Sequence, residues 1–141
     1  MMVSQRTRIA GLSFSNKRPI IGETVTVAAY LQWYDQKAKR WEPVERKKVD
    51  VYIDNEKVGE VITDHLGYFT FECEFRSLGN HIVEIKFDGF RDYFMECSVS
   101  RTLKVITESQ KRNLEKHVKI ITVIALLILL TVIILAIRLS T

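Results

Sequence analysis

The sequence has 141 residues, of which 27% are charged and 47% hydrophobic, and its formal net charge is +4. This length accommodates one folded domain and a further segment, and most of the positive excess is local, which excludes a general nucleic-acid-binding polycation. The two cysteines, Cys73 and Cys97, are too few for a disulfide scaffold or a zinc site.

The N-terminal residues 1–14 read MMVSQRTRIAGLSF. They are basic but lack the apolar run of about seven residues or more that a secretory signal peptide needs. We therefore expect any membrane insertion to be directed by a later segment.

Between residues 7 and 106, apolar side chains recur at every second position, which is the period of β-strands. One long run has Val25, Val27, Ala29, Leu31 and Trp33 on the same face. Three shorter runs alternate in the same way, and their inward sides carry Val49, Val51 and Ile53; Phe69, Phe71, Cys73 and Phe75; and Val83, Ile85 and Phe87. This pattern predicts antiparallel strands with one buried and one hydrated face.

The last predicted strand runs from Met95 to Ile106. Its inward candidates are Met95, Cys97, Val99, Leu103 and Val105. Arg101 has the same parity, so either a β-bulge turns it outward or it lies at the edge of the sheet with its guanidinium in water.

Five motifs accompany these strands: Gly22 to Val27 (GETVTV), Val49 to Asp54 (VDVYID), Val58-Gly59, Thr63 to Phe71 (TDHLGYFTF) and Gly79 to Gly89 (GNHIVEIKFDG). Together they resemble the Ig-like (Big-type) repeat domains of bacterial and archaeal surface proteins. The Thr63 to Phe71 motif also resembles transthyretin-like and carboxypeptidase-regulatory-like sandwiches. The spacing of the strands and their Gly-marked turns predicts an antiparallel sandwich of about seven strands in residues 1–106. The resemblance, which covers about residues 12–106, implies that this all-β sandwich is Ig-like, and it leaves the function open because such motifs specify turns and core positions.

Catalytic residues are not indicated. No two of the three histidines, His65, His81 and His117, have the local spacing of a catalytic dyad. Cys73 falls on the inward face of a Phe-rich strand, where a small core side chain is expected rather than a nucleophile. We expect a non-enzyme without a cofactor or a small-molecule substrate.

A metal site and a disulfide are also disfavoured. The acidic groups Asp88, Asp92 and Glu96, or Asp54 and Asp64, lack the spacing of a calcium loop. The expected strand order places Cys73 and Cys97 toward opposite ends of the sandwich, too far apart for a disulfide.

The segment from Lys37 to Lys48, KAKRWEPVERKK, is the strongest candidate for a functional loop. A basic loop with an aromatic side chain can contact anionic lipid headgroups, an acidic partner or a polyanion such as a glycan. The alternative is a solvated hairpin whose tryptophan folds back onto the sandwich. The candidate contact residues are Lys37, Lys39, Arg40, Trp41, Arg46, Lys47 and Lys48.

Residues 120–137 contain fourteen Ile, Leu or Val, two Ala and two Thr, and no charge. Eighteen helical residues span about 27 Å, the thickness of the bilayer core, and insertion of the aliphatic side chains contributes about −4 to −8 kcal/mol. We predict a transmembrane helix here and a short tail in residues 138–141. Lys116, Lys119 and Arg138 are the predicted membrane-interface residues.

Residues 107–119 are polar and predict a juxtamembrane helix continuous with the transmembrane helix. Thr107 and Gln110 match a capping box, and Glu115 and Lys119 are oppositely charged at i and i+4. A flexible linker is the alternative.

Cations are concentrated before the transmembrane segment, and the positive-inside rule then favours a cytoplasmic location for the N-terminal domain. The absence of a signal peptide agrees and indicates a tail anchor, whereas the resemblance to surface domains favours the outside. We predict a single-pass membrane-anchored, non-catalytic binding or scaffolding module, an accessory subunit whose partners are the bilayer and another membrane or envelope protein. The alternatives are an outward-facing module that binds a surface protein or polysaccharide, and a regulatory domain of a transporter or enzyme complex.

Overall fold

The computed structural model describes residues 4–140. Residues 1–3 of the predicted first domain and Thr141 of the predicted tail lie outside the described residues. The described chain divides into two compact units, one ending at Ile106 and the other beginning at Thr107. Its elements are β1 (Thr7–Phe14), β2 (Val25–Asp35), β3 (Arg40–Pro43), β4 (Lys48–Ile53), β5 (Glu56–Ile62), β6 (Tyr68–Cys73), β7 (Gly79–Phe87), β8 (Cys97–Val105) and α1 (Glu108–Ser140).

The eight strands form two four-stranded sheets, and all the neighbouring strands are antiparallel. In the first sheet β1 lies along one side of β2, while β6 and β3 pair with successive parts of β2 on its other side. The second sheet has the order β5-β4-β7-β8. The prediction of an antiparallel β domain followed by one long helix is confirmed.

The apolar faces of the two sheets contribute to one core. Val25, Val27, Ala29 and Leu31 of β2 are fully buried, and so are Val49 and Val51 of β4 and Val83 and Ile85 of β7. The alternation in the sequence therefore identified the inward faces of these strands correctly. Two sheets around a shared apolar core fit a β-sandwich.

The turn between β5 and β6 is fixed by its own polar side chains. Thr63 is buried; its Oγ1 donates to the carbonyl oxygen of Val44 at 2.8 Å and accepts from the Lys47 amide at 3.0 Å. Asp64 Oδ1 accepts from the amides of Leu66 and Tyr68 at 2.8 and 2.9 Å. These bonds explain why the motif begins with Thr-Asp, since together they shape the turn and attach it to the connection between β3 and β4.

Three sequence-based expectations are wrong in detail. About seven strands were expected, but the described chain has eight, because part of the predicted basic loop forms the short strand β3. The last strand begins at Cys97, because the amide of Met95 donates instead to Gln5, and the Met95 side chain is 49% exposed rather than inward. Asp50 lies between the inward Val49 and Val51, so the alternation predicts a hydrated position for it, but it is buried on the second sheet.

Arg101 follows the edge alternative. The register of β7 and β8 is unbroken, β8 is the last strand of its sheet, and Arg101 is exposed. Its guanidinium donates to the carbonyl oxygen of Ser100 at 2.8 Å.

The C-terminal unit is a continuous helix, so the flexible-linker alternative is wrong. Thr107 Oγ1 accepts from the Gln110 amide at 3.1 Å, while Gln110 Oε1 accepts from the Thr107 amide at 2.9 Å, as a capping box requires. The helix has 33 residues, and no charged side chain lies between Lys119 and Arg138. It is long and apolar enough to cross a membrane.

Candidate binding surface

The predicted basic segment passes from one sheet to the other. Lys37 and Lys39 are exposed in the turn between β2 and β3, where Asp35 Oδ1 accepts from the amides of Lys37 and Ala38 at 3.0 and 3.2 Å. Arg40 opens β3 and forms an ion pair with Glu42. These cations lie on the first sheet.

The remaining cations of the segment lie elsewhere. Arg46 is exposed with a positive φ of 52°, and Lys47 Nζ lies 4.3 Å from the centre of the Phe90 ring. Lys48 belongs to the second sheet, where its Nζ is 3.8 Å from Asp50 and 3.7 Å from Glu60. The structure therefore does not bring the seven predicted residues together as one site.

Trp41 lies on the outer face of the first sheet, directly opposite Tyr34 on the neighbouring strand. The two rings are tilted by 59° with their centres 5.2 Å apart. The guanidinium carbon of Arg8 lies 4.1 Å from the centre of the Trp41 ring, and that of Arg6 lies 4.8 Å from the centre of the Tyr34 ring. We call Arg6, Arg8, Tyr34 and Trp41 the arginine–aromatic cluster.

The cluster orients its two guanidinium groups. Stacking on an aromatic face fixes the plane of a guanidinium and leaves the N–H groups at its edge available. Arg8 uses one of them, since its Nε donates to Gln32 Oε1 at 2.8 Å. Within the described chain, neither Arg6 nor Arg8 has an acidic side chain within 4.0 Å.

Arg6 and Arg8 were missed as candidates because they lie more than twenty positions from Trp41 in the sequence. The available signal was their i, i+2 spacing on either side of Thr7, which puts both arginines on one face of an extended segment at the start of β1. Only the pairing of β1 with β2, and of β2 with β3, brings them to Trp41.

The cluster lies at the end of the β unit opposite Ile106. Tyr34 is next to the last residue of β2, whereas Ile20, shortly before β2 begins, bridges to Ile106. An eleven-residue strand such as β2 extends over about 35 Å. The candidate surface and the point where the chain leaves the β unit are therefore far apart.

A second aromatic group lies at the same end, in the connection between β7 and β8. The rings of Phe90 and Tyr93 are stacked with centres 6.2 Å apart, and Arg91 lies 5.1 Å from the centre of the Phe90 ring. Tyr93 is 45% exposed. Beside the arginine–aromatic cluster, Gln5, Trp33, Asp35, Gln36 and Lys37 line an open cleft of about 390 Å³.

One group of side chains has the bonding order Ser–His–Asp, which the local spacing of the histidines did not reveal. His81 Nδ1 lies 2.6 Å from Asp54 Oδ2, and Nε2 lies 3.2 Å from Ser77 Oγ and 2.8 Å from the Ser77 carbonyl oxygen. A carbonyl oxygen only accepts, so Nε2 carries a proton and cannot serve as the base for Ser77. Asp54, His81 and Ser77 therefore form a structural clamp, in which His81 links Asp54 in the β4–β5 turn to Ser77 just before β7.

The hydrogen bonds of this clamp shift both groups toward their charged forms. The hydrogen bond to Asp54 raises the pKa of His81 above its ordinary value. The Ile82 amide, followed by His81, lowers the pKa of the Asp54 carboxyl. An imidazolium between a carboxylate and a carbonyl oxygen is the consistent protonation state.

The cysteines and acidic groups offer no reactive site within residues 4–140. Cys73 and Cys97 are free thiols, and burial raises the pKa of Cys73 to about 11. Burial also raises the pKa of Cys97. The described residues contain no group of three or more His, Cys, Asp or Glu side chains that could hold a metal ion.

The predicted interface residues Lys116, Lys119 and Arg138 all lie on α1. The two hydroxyls within the apolar stretch are satisfied by their own helix: Thr122 donates to the carbonyl oxygen of Val118 and Thr131 to that of Leu127, both at 2.9 Å. The apolar surface of the helix therefore offers no hydroxyl donor that needs an external partner.

Comparison with known proteins gives one informative relative. An uncharacterized protein of Archaeoglobus fulgidus is 35% identical over 131 residues, which cover 92% of this chain and 89% of the relative. No protein-family model matches the chain. Because the match covers nearly the whole sequence, it includes parts of both the β unit and the helix.

Proposed function

We propose that this chain, which belongs to the family of the Archaeoglobus fulgidus protein, is a membrane-anchored, non-catalytic binding module. The helix Glu108–Ser140 is the single-pass anchor, and the β unit is an Ig-like sandwich that presents a surface to another membrane or envelope protein. In this role the chain is an accessory subunit, and the anchor raises the local concentration of the binding surface.

The arginine–aromatic cluster is the observation that carries the proposal. Trp, Tyr and Arg are the residue types enriched at the energetic centres of protein interfaces. Here two arginines and two aromatic residues share one outer sheet face without an acidic partner for Arg6 or Arg8 in the described chain. The face lies at the far end of the β unit from Ile106, where it is accessible to a second protein.

The distribution of charge supports a cytoplasmic β unit. Five cations, Lys104, Lys111, Arg112, Lys116 and Lys119, precede the apolar stretch, and Arg138 follows it. Retention of cations on the cytoplasmic side gives this orientation. Lys116, Lys119 and Arg138 are then the residues at the two membrane interfaces.

Purification in a mild detergent tests the proposal. The affinity-tagged full chain is expected to recover a second membrane or envelope protein in stoichiometric amount. A variant carrying Trp41→Ala with Arg8→Gln is expected to lose it, while the matched surface variant Tyr52→Ala with Arg101→Gln on the second sheet retains it. Recovery of the chain alone from its native membrane would contradict the accessory-subunit role.

The alternative function is an outward-facing adhesion module that binds a surface protein or polysaccharide. The resemblance to surface repeat domains and the half-exposed Tyr30 favour it. Labelling separates the two: in a variant with Cys73→Ala, Cys97→Ala and Ser100→Cys, the added thiol lies on the exposed face of β8. A cytoplasmic β unit leaves it unlabelled by an impermeant maleimide in intact cells, and labelling there would establish the outward orientation.

A further inference from the structure

Arg6 and Arg8 are spaced as two consecutive side chains on the same face of an extended segment. Such positions are about 6.6 Å apart, which is also the spacing of alternate side chains in any extended peptide lying alongside. Tyr34 and Trp41 hold the two guanidinium groups by their faces, at 4.8 and 4.1 Å.

The charge around the cluster is positive. Two acidic residues, Asp35 and Glu42, are outnumbered there by five cations: Arg6, Arg8, Lys37, Lys39 and Arg40. Both acids are already engaged, because Asp35 accepts from turn amides and Glu42 pairs with Arg40. These two acidic side chains therefore do not neutralise the positive charge of Arg6 and Arg8, and this charge attracts an anionic ligand.

We propose that the arginine–aromatic cluster binds an extended acidic peptide segment with carboxylates at alternate positions. The planar guanidinium edge matches a carboxylate in a bidentate arrangement, and an i, i+2 pair of carboxylates matches the spacing of Arg6 and Arg8. The side chain between the two carboxylates points away from the sheet. The aromatic rings contact the aliphatic part of the peptide.

A protein segment, rather than a bilayer headgroup, is the occupant favoured by the spacing of the cluster. Arg6 and Arg8 each lie over an aromatic ring, and their i, i+2 spacing matches alternate side chains of an extended peptide, whereas lipid headgroups have no fixed spacing. The inference rests on the proposed binding function, since it names the chemical class of the partner segment.

The test uses the full chain in non-ionic detergent and a fluorescent peptide in which glutamate alternates with threonine. Anisotropy is expected to show saturable binding that weakens with added salt. The double variant Arg6→Gln with Arg8→Gln is expected to weaken binding about tenfold, since two charge-assisted hydrogen-bonded pairs are lost. The charge-matched double variant Arg76→Gln with Arg101→Gln, which changes two exposed arginines outside the cluster, is expected to bind normally.

Three results would overturn the inference: equal binding of a peptide with glutamine in place of glutamate, equal binding by the Arg6→Gln/Arg8→Gln variant, or stronger displacement of the fluorescent peptide from the full chain by phosphatidylglycerol added to the detergent micelles than by unlabelled peptide. A peptide with its glutamates in one block tests the spacing and is expected to bind more weakly. If the co-purifying partner is retained by the Arg6→Gln/Arg8→Gln variant, the binding module stands and the acidic-peptide site fails.

Discussion

At the residue scale, the side chains that decide local geometry are polar ones whose partners are distant in sequence. Asp54 and His81 are 27 positions apart but form a 2.6 Å contact that joins the β4–β5 turn to the start of β7. His81 also reaches back to Ser77, and its ring contacts Phe75 with centres 5.2 Å apart. A charged histidine therefore connects two turns of the β unit.

This clamp predicts a pH-dependent stability. The pKa of His81 is raised above its ordinary value of 6.5, so its contribution is complete below that pH and is lost as the pH rises through the folded-state pKa. The pKa of Asp54 is lowered, so its contribution is present above 3.8 and is lost as the pH falls through its folded value. The melting temperature of the full chain in detergent is expected to fall by a few degrees from pH 6 to pH 8, about the effect of one exposed ion pair.

Two histidine variants test whether His81 causes the pH dependence of the melting temperature. His81→Gln is expected to remove most of the slope of melting temperature against pH, whereas His65→Gln, in an exposed turn, is expected to retain it. An unchanged slope in His81→Gln would show that the clamp is not the titrating element.

The sequence predicted inward apolar residues better than it predicted the environment of polar ones. Val27, Val51 and Ile85 follow from alternation alone, because one side of a strand pair must be buried. Asp50 is equally buried, but its cover is supplied by neighbours on β4 and β5: the Lys57 ammonium lies 3.3 Å from Asp50 Oδ1, and Lys48 approaches at 3.8 Å. Burial under lysine stems leaves no periodic signature in a sequence.

At the element scale, the turns set the register of the strands. Gly67 ends the β5–β6 turn with a positive φ of 72°, and its carbonyl oxygen accepts from the Leu31 amide at 2.8 Å. A Cβ at this position would overlap the Leu31 carbonyl oxygen and lie 3.2 Å from the amide nitrogen of Val44. Gly22 has a similar φ of 82°, but a Cβ there would meet no atom within 4 Å.

Alanine substitutions at these two glycines separate the energetic cost of backbone strain from that of steric overlap. Gly22→Ala is expected to lower the free energy of unfolding by about 1 kcal/mol, the ordinary cost of a left-handed alanine. Gly67→Ala is expected to lower it by about 1–3 kcal/mol more, because the backbone around it must shift. Urea titration of the full chain gives both values, and equal losses in the two variants would mean that the turn relaxes without resistance.

The start of the helix is a second element that its sequence specified fully. Thr107 and Gln110 exchange hydrogen bonds with each other's amides at 2.9 and 3.1 Å. Thr107→Ala is expected to speed hydrogen exchange of the Gln110 and Lys111 amides, which bond to Thr107, about fivefold, since a lost cap costs about 1 kcal/mol. Asn113→Ala, one turn further along, is the control and is expected to leave these amides protected.

The strand β3 could not be predicted from the pattern of its own residues. Arg40–Pro43 is four residues long, and its composition of Arg, Trp, Glu and Pro has no apolar alternation, so the segment was interpreted as a loop. Pairing with the last residues of β2 makes it a strand, and this pairing places Trp41 beside Tyr34. The candidate surface could therefore be predicted only in part, because Trp41 was identified from its basic surroundings whereas Arg6 and Arg8 depend on tertiary pairing.

At the scale of the whole molecule, the two units have opposite surface chemistry. The β unit buries its apolar residues between two sheets, whereas the apolar stretch of α1 is buried nowhere within the described chain. Such a helix is compatible with water only if another apolar phase covers it. In the proposed function, the helix holds the chain in the membrane and the polar faces of the β unit bind the partner.

The proposed division of roles makes a prediction about the helix itself. Its two hydroxyls bond to carbonyl oxygens one turn back, and no glycine occurs between Thr107 and Arg138. Without close backbone approach or free donors, lateral helix packing has little to stabilise it.

Replacing residues 120–137 with leucines, while keeping Lys119 and Arg138, is expected to preserve both membrane association and recovery of the partner. Deleting the segment is expected to abolish membrane association and to reduce recovery, because the local concentration is lost. Loss of the partner in the leucine variant, with membrane association intact, would show that α1 binds the partner directly and that the β unit is not the sole recognition element.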